Sequence, residues 1–179
     1  APLAEAADIK LRLGVGMEVS TLDPVYQTNN WELASGYNLY DSLVWPDAEK
    51  GVAPWVAESW QVSEDGKTYT FKIKQGLKFH DGSPLTAEDV AFSMQRMLAL
   101  NGPGASNFRG LNKDNVEAPD ASTVVFRLDK PSSSFLKALV TFKIVNKKVI
   151  LANLRDGPHG DMKDYGAEYL RSGDAGSGP

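Results

Sequence analysis

Two histidines, His80 and His159, are the side chains best suited to acid–base or metal chemistry in this chain, and each has carboxylates close by in sequence. Asp81 follows His80, and His159 lies between Asp156 and Asp161 in a stretch broken by glycines. Imidazole with carboxylate suits zinc or nickel, and a serine beside such a pair suits acyl transfer. Neither chemistry has its spacing here. The histidines fit no helix-borne or zinc-finger arrangement, and no Gly-x-Ser-x-Gly elbow presents a serine nucleophile. The carboxylate pairs Glu64-Asp65 and Glu88-Asp89 fall at a turn and at a helix start, where solvated carboxylates belong. The chain contains no cysteine, which removes thiolate nucleophiles, disulfides and cysteine-held metals. Gly14-Val15-Gly16 lacks the Gly-Lys-Ser/Thr of a phosphate loop. These residues imply no metal and no cofactor, and the chain reads as a non-enzyme.

Bulk properties narrow the class further. With 179 residues, 42% of them hydrophobic and 23% charged, the chain can bury one real core or two small ones. A net charge of −4 argues against nucleic acid as a partner, since such binders carry a basic face. No apolar run approaches the ~20 residues that cross a bilayer. The opening Ala-Pro-Leu-Ala-Glu-Ala-Ala has neither the basic nor the apolar region of a leader. It fits a mature secreted chain from which a signal peptide has been removed, and on these residues alone an unstructured remnant fits as well.

The elements that must position any site follow from periodicity. Ile9, Leu11, Leu13, Val15 and Met17 alternate with polar or small residues, which predicts a half-buried strand. Asp23-Pro24 then forces a turn. Thr28, Asn29 or Asn30 can cap a helix whose stripe is Leu33, Tyr37, Tyr40 and Val44, with Trp31 off the stripe and exposed. Residues 45–51, Trp-Pro-Asp-Ala-Glu-Lys-Gly, read as a turn. From Ala57 to Met97 every boundary is marked. Trp60 and Val62 form one side of a strand, Glu64 to Lys67 a tight turn, and Tyr69, Phe71 and Ile73 the buried face of the next strand. His80-Asp81-Gly82-Ser83-Pro84 breaks the chain, and Thr86 opens a helix with Val90, Met94, Met97 and Leu98 on one stripe. Asn101 to Asn107 reads as an exposed loop. Val116–Ala118 and Val124–Leu128 form a second hairpin about Pro119–Ser122. Pro131 to Ser134 lead a short helix turned inward through Phe135, Leu136, Leu139 and Val140, and 142–151 reads as a strand entering a short helix.

The run AESW-x-x-S-x-DGKTYTFKIKQGLKFHDGSPLTAEDVAFSMQR resembles the signature region of the extracellular solute-binding proteins of family 5, the peptide, oligopeptide and nickel receptors of ABC importers. Weaker similarity extends from about Leu11 to Pro179, through VEAPDASTVVFRLDKPSSSFL and the closing Ala175-Gly-Ser-Gly-Pro179. The family usually has threonine where Ser177 stands and an aromatic after the proline. The resemblance implies a mixed α/β fold, the N-terminal part of a type II periplasmic-binding-protein fold. It implies a start of lobe I over 1–44, an extra subdomain over 45–165, and a return segment over 166–179, with the rest of lobe I and lobe II absent. It also implies a periplasmic location and non-catalytic binding of a small peptide or similar solute, with an ABC permease in the inner membrane as partner. Polar loops after a buried strand are where α/β proteins place binding groups. The expected ligand contacts are therefore Met17, Glu18 and Val19, with Tyr26, Asn30 and Trp31 behind them. Glu18 suits a ligand amino group, and equally a solvated loop carboxylate. The alternative is a structural or interaction fragment that binds no solute until the C-terminal part of the same receptor complements it.

Overall fold

The computed structural model describes residues 18–178, so the strand expected over Ile9 to Met17 lies outside the described residues. A loop over residues 18–29 leads into helix α1 (Asn30–Leu39). Asn29 is the cap: its Oδ1 accepts from the Trp31 and Glu32 amides, and the Glu32 carboxylate accepts from the Asn29 amide. This reciprocal arrangement satisfies helix donors that would otherwise lack partners.

The buried face of α1 differs from the expected stripe. Leu33 is exposed, Tyr37 is half-buried, and Val44 belongs to the following strand because the helix stops at Leu39. Glu32 and Gly36 are the buried helix positions instead. The reason is local packing. The buried Gln27 side chain lies against Gly36, where any Cβ would collide with its amide. Glycine costs helix stability at such a position, but it lets the preceding loop close onto the helix.

Residues read as a turn after Val44 form a hairpin, β1 (Val44–Asp47) with β2 (Gly51–Pro54), in register Trp45 to Ala53. Asp47 Oδ1 accepts from the Glu49 and Lys50 amides and shapes its tip. The main sheet has four antiparallel strands in the order β3 (Ala57–Val62), β4 (Thr68–Ile73), β6 (Thr123–Arg127), β5 (Val116–Asp120). Both expected hairpins are present. Tyr69, Phe71 and Ile73 are buried as the alternation predicts. Trp60 is only half-buried and Val62 is exposed, because β3 is an edge strand and only its Ala57 end is covered.

Helix α2 (Ala87–Leu100) packs on β5 and β6 and is buried on more than one side. Asp89 Oδ2 accepts from both the amide and the hydroxyl of Thr86, 2.9 Å each, which fixes the start predicted there. Val90, Met94 and Met97 join the sheet core, whereas Phe92 enters a second cluster with Tyr40, Val145, Ile150 and Leu170. The stretch expected to be an exposed loop is more ordered. Pro103–Phe108 forms a 3-10 helix that buries Ala105 and Phe108, because Phe108 packs edge-on against Phe135 and Phe142. Short helices α3 (Phe135–Ala138) and α4 (Lys147–Ala152) follow, and residues 142–146 run between them.

Phe71 sits at the centre of an aromatic stack, with Trp60 at 5.9 Å and Phe126 at 5.6 Å. Phe126 in turn meets Phe135 at 5.6 Å. Phe71→Ala removes a fully buried ring from this stack, and is expected to lower unfolding stability by about 3–5 kcal/mol. Urea denaturation measures this. A loss below about 1 kcal/mol would contradict the packing described.

Candidate functional site

The expected site lies on the loop over residues 18–29 and the first turn of α1, and two buried carboxylates determine its shape. Asp23, fully buried, faces the equally buried Arg96 of α2 in a two-pronged pair, Nη1 to Oδ1 at 2.8 Å and Nη2 to Oδ2 at 2.5 Å. Arg96 Nε donates to the Tyr165 carbonyl at 2.8 Å. Asp23 Oδ1 also accepts from the Val25 amide and so holds the turn at Pro24. The second carboxylate, Glu32, gathers both ends of the loop. Its Oε1 accepts from the amide and hydroxyl of Ser20, and its Oε2 from the amides of Thr28 and Asn29. The Ser20 hydroxyl, then the Thr28 amide, hold the Glu32 carboxyl down at about 2.

Further contacts seat the loop. The Leu22 amide donates to the carbonyls of Leu170 and Arg171. Gly102, just past α2, lies so close to the Val25 carbonyl that a Cβ there would collide with it. The loop is thus wedged between α1, the end of α2 and the 165–171 segment.

Against this geometry the expected residues divide. Met17 lies outside the described residues. Glu18 is exposed and Val19 half-buried, both just ahead of the Ser20 anchor. Tyr26 closes the Asp23 turn, its amide donating to the Asp23 carbonyl, and is 39% exposed. Its hydroxyl is pushed above its ordinary value by burial and then by the Asp23 carboxylate. Asn30 and Trp31 form the first turn of α1 and are exposed, Trp31 by 41%. One framework therefore carries Glu18, Val19, Tyr26, Asn30 and Trp31, with Tyr26 at the Arg96 end and Trp31 at the helix start.

A second group of polar and aromatic side chains was not expected from sequence. Trp45 and Trp55, side by side at the open end of the β1–β2 hairpin, stack at 5.0 Å, and Tyr37 meets Trp45 edge-on at 6.0 Å. Asp41 Oδ1 accepts from Trp55 Nε1 at 2.7 Å and Oδ2 from the Ser177 hydroxyl at 2.9 Å. Lys143, nearly buried, donates to Ser42 Oγ at 2.8 Å and lies 3.5 Å from the centroid of the Tyr37 ring. Burial pushes its ammonium down to about 8, with Asp41 opposing. The signal available in the sequence was a pair of Trp–Pro junctions, Trp45-Pro46 and Pro54-Trp55, bracketing a hairpin that was read as a turn.

The two histidines lie apart, and among the described residues no group of three or more His, Asp or Glu side chains is placed to hold a metal ion. His80 Nδ1 faces Asp174 Oδ2 at 2.8 Å and Nε2 faces the Gly178 carbonyl at 2.8 Å. Both neighbours only accept, so a fully bonded ring donates from both nitrogens as imidazolium. The Gly178 carbonyl, then Asp174, raise its pKa accordingly. His159 packs its ring against Tyr165 at 5.3 Å.

Residues 51–179 match the bacterial extracellular solute-binding proteins, family 5 Middle. The chain belongs to this family. It is 35% identical to the "Probable D,D-dipeptide-binding periplasmic protein DdpA" of Escherichia coli K12, over 99% of this chain and 34% of that protein. Among solved structures it resembles the ABC transporter substrate-binding protein CtaP of Listeria monocytogenes, with TM-score 0.74 and 30% identity over 92% of this chain and 32% of that one. It also resembles the oligopeptide-binding protein AppA of Bacillus subtilis, solved with a nonapeptide, with TM-score 0.71 and 30% identity over 87% of this chain and 30% of that one. The fold is thus the mixed α/β fold of the periplasmic binding proteins. The chain spans about a third of the length of these relatives. The family consists of solute-binding proteins, and among the described residues no helix is long and apolar enough to cross a membrane.

Glu32 supplies a test of the loop. Its folded-state pKa lies below the ordinary value, so its support is complete above pH ~4.5 and is lost as pH falls toward about 2. The Ser20 and Thr28 amide resonances should titrate with a midpoint near 2 and stop titrating in Glu32→Gln. A midpoint at the ordinary glutamate value would mean that the carboxylate does not gather the loop.

Proposed function

We propose that this chain forms one wall of the solute cleft of a periplasmic receptor that delivers a peptide-class solute to an ABC permease, without catalysing a reaction. The observation that carries this reading is the contrast within the 18–31 segment. Its backbone is fixed by Asp23, Arg96 and Glu32, while Tyr26 and Trp31 remain about two-fifths exposed on it. Aromatics held rigidly at a surface lose little entropy on binding, which is how binding proteins use them. The names of the relatives favour peptides as the solute class.

In this reading Met17, Glu18, Val19, Tyr26, Asn30 and Trp31 contact the solute. Residues 1–44 begin lobe I, 45–165 form its extra subdomain, and 166–179 return to it. The opposite wall comes from polypeptide beyond the third of the relatives that this chain spans, and the lobes close over the solute by hinge motion. A signal peptide has been removed before the mature chain acts. In this reading the chain binds its solute and leaves it chemically unchanged.

Titration calorimetry of di- and tripeptides against the full gene product, and against the 179-residue chain alone, tests the proposal. The full product should bind at least one of them, with Trp31→Ala weakening binding by about tenfold or more, as loss of a buried aromatic anchor does. Binding unchanged in Trp31→Ala, Tyr26→Ala and Asn30→Ala would overturn this placement of the cleft. Binding of no peptide by the full product would overturn the solute class.

A further inference from the structure

Lys143 is electrostatically unusual. It is 6% exposed, yet among the described residues no carboxylate lies within 4 Å of its ammonium, whereas the more exposed Lys147 has Glu88 and Lys113 has Asp114. Asp41 is the near candidate, and both of its oxygens are engaged elsewhere, by Trp55 and Ser177. Backbone pairing makes the position deliberate. Lys143 bridges Ser42, and the Ile144 amide donates to the Asp41 carbonyl at 3.0 Å. The Ser42 hydroxyl donates to the Val140 carbonyl at 2.8 Å, so its lone pairs are turned toward the lysine.

A desolvated cation is costly without a paired counter-charge; the contacts of Lys143 among the described residues are a hydroxyl and an aromatic face, with the Asp41 carboxylate acting from beyond ion-pair distance. Beside it stands the Tyr37–Trp45–Trp55 wall, with Trp45 36% and Trp55 41% exposed. A hollow of about 220 Å³ opens next to that wall, lined by Asp41, Trp55, Val56, Lys74 and Leu77. The Lys74 ammonium lies 6.0 Å from the centroid of the Trp55 ring. Positive charge with an exposed aromatic surface is complementary to an anion that carries an apolar group.

We infer that Lys143, positioned by Ser42 and Tyr37, is a subsite for a carboxylate of the bound solute, with the Trp45–Trp55 wall receiving the apolar group next to that carboxylate. The inference deepens the cleft reading and rests on it for the presence of a solute. It does not need the solute to be a peptide.

The test uses N-acetylphenylalanine and its amide as probes of the full gene product, with the lysine side-chain ¹⁵N resonances and calorimetry as readouts. The acid should shift the Lys143 signal and bind at least tenfold more tightly than the amide. Lys143→Met, which keeps an apolar stem and removes the charge, should abolish that preference, so that acid and amide bind alike. Lys143→Arg should restore part of it. If the acid leaves the Lys143 signal unmoved, or if Lys143→Met retains the preference for the acid, the subsite is wrong. If di- and tripeptides fail to bind while the acid still shows the dependence on Lys143, the subsite stands and the peptide reading falls.

Discussion

The buried ion pair between Asp23 and Arg96 is the contact on which the arrangement of the chain depends. Three segments far apart in sequence meet there: the loop over residues 18–29, the middle of α2, and the 165–171 stretch through the Tyr165 carbonyl. Desolvating two charges offsets most of their attraction, so such a pair adds little net stability, although removing one partner costs about 3–5 kcal/mol. Its contribution is register. A planar guanidinium with a two-pronged carboxylate and one carbonyl accepts few alternative placements. Tyr165 adopts φ +53 with its carbonyl bonded to Arg96, a conformation uncommon for a residue with a side chain. α2 can hold this pair because its two faces serve two clusters, apolar toward the sheet and mixed toward Tyr40, Leu170 and Tyr165.

The later part of the chain is fastened to the same body by a different kind of contact. His80 clasps Asp174 and Gly178, the His80 amide donates to the Gly176 carbonyl, and the Gly178 amide donates to the Leu39 carbonyl. Ser177 adds its bond to Asp41, which also orients Trp55. The closing residues therefore run against the end of α1 and support the aromatic wall from behind. The loop carrying Tyr26 and Trp31 and the wall carrying Trp45 and Trp55 are both anchored to α1, one at each end.

Much of the fold was legible because local signals agreed with one another. In 57–97 the alternation of Tyr69, Phe71 and Ile73, the Asp-Gly turn and the Thr86 cap all describe the same elements, and the structure contains them. The misreadings have specific causes. Of the expected α1 stripe, Tyr40 and Val44 are buried, whereas Leu33 and Tyr37 are not, because periodicity assumes that the core supplies the buried partner. Here the partner is the preceding loop, which buries Glu32 and Gly36 and leaves Leu33 in solvent. Val62 failed because alternation cannot distinguish a central strand from an edge strand. Asn101 to Asn107 reads as a loop because Pro, Gly and Asn mark breaks, and only tertiary packing of Phe108 reveals an ordered turn over Pro103–Phe108. The loop after the first strand was identified as a site candidate, but the carboxylates that shape it were not. Nothing local pairs Asp23 with Arg96 across seventy-three positions. Lys143 carries no signal in the sequence, since its isolation from carboxylates exists only in three dimensions.

The central claim is that the Asp23–Arg96 pair and Glu32 hold the 18–31 segment as part of the folded body. Residue-resolved amide hydrogen exchange, comparing the native chain with Arg96→Met, tests it most directly. The Leu22, Val25 and Thr28 amides, bonded to Leu170, Asp23 and Glu32, should be protected in the native chain. They should lose protection together in the variant, while β4 and β6 keep theirs relative to the global stability. Fast exchange of these three amides in the native chain, or protection unaltered by Arg96→Met, would contradict the account.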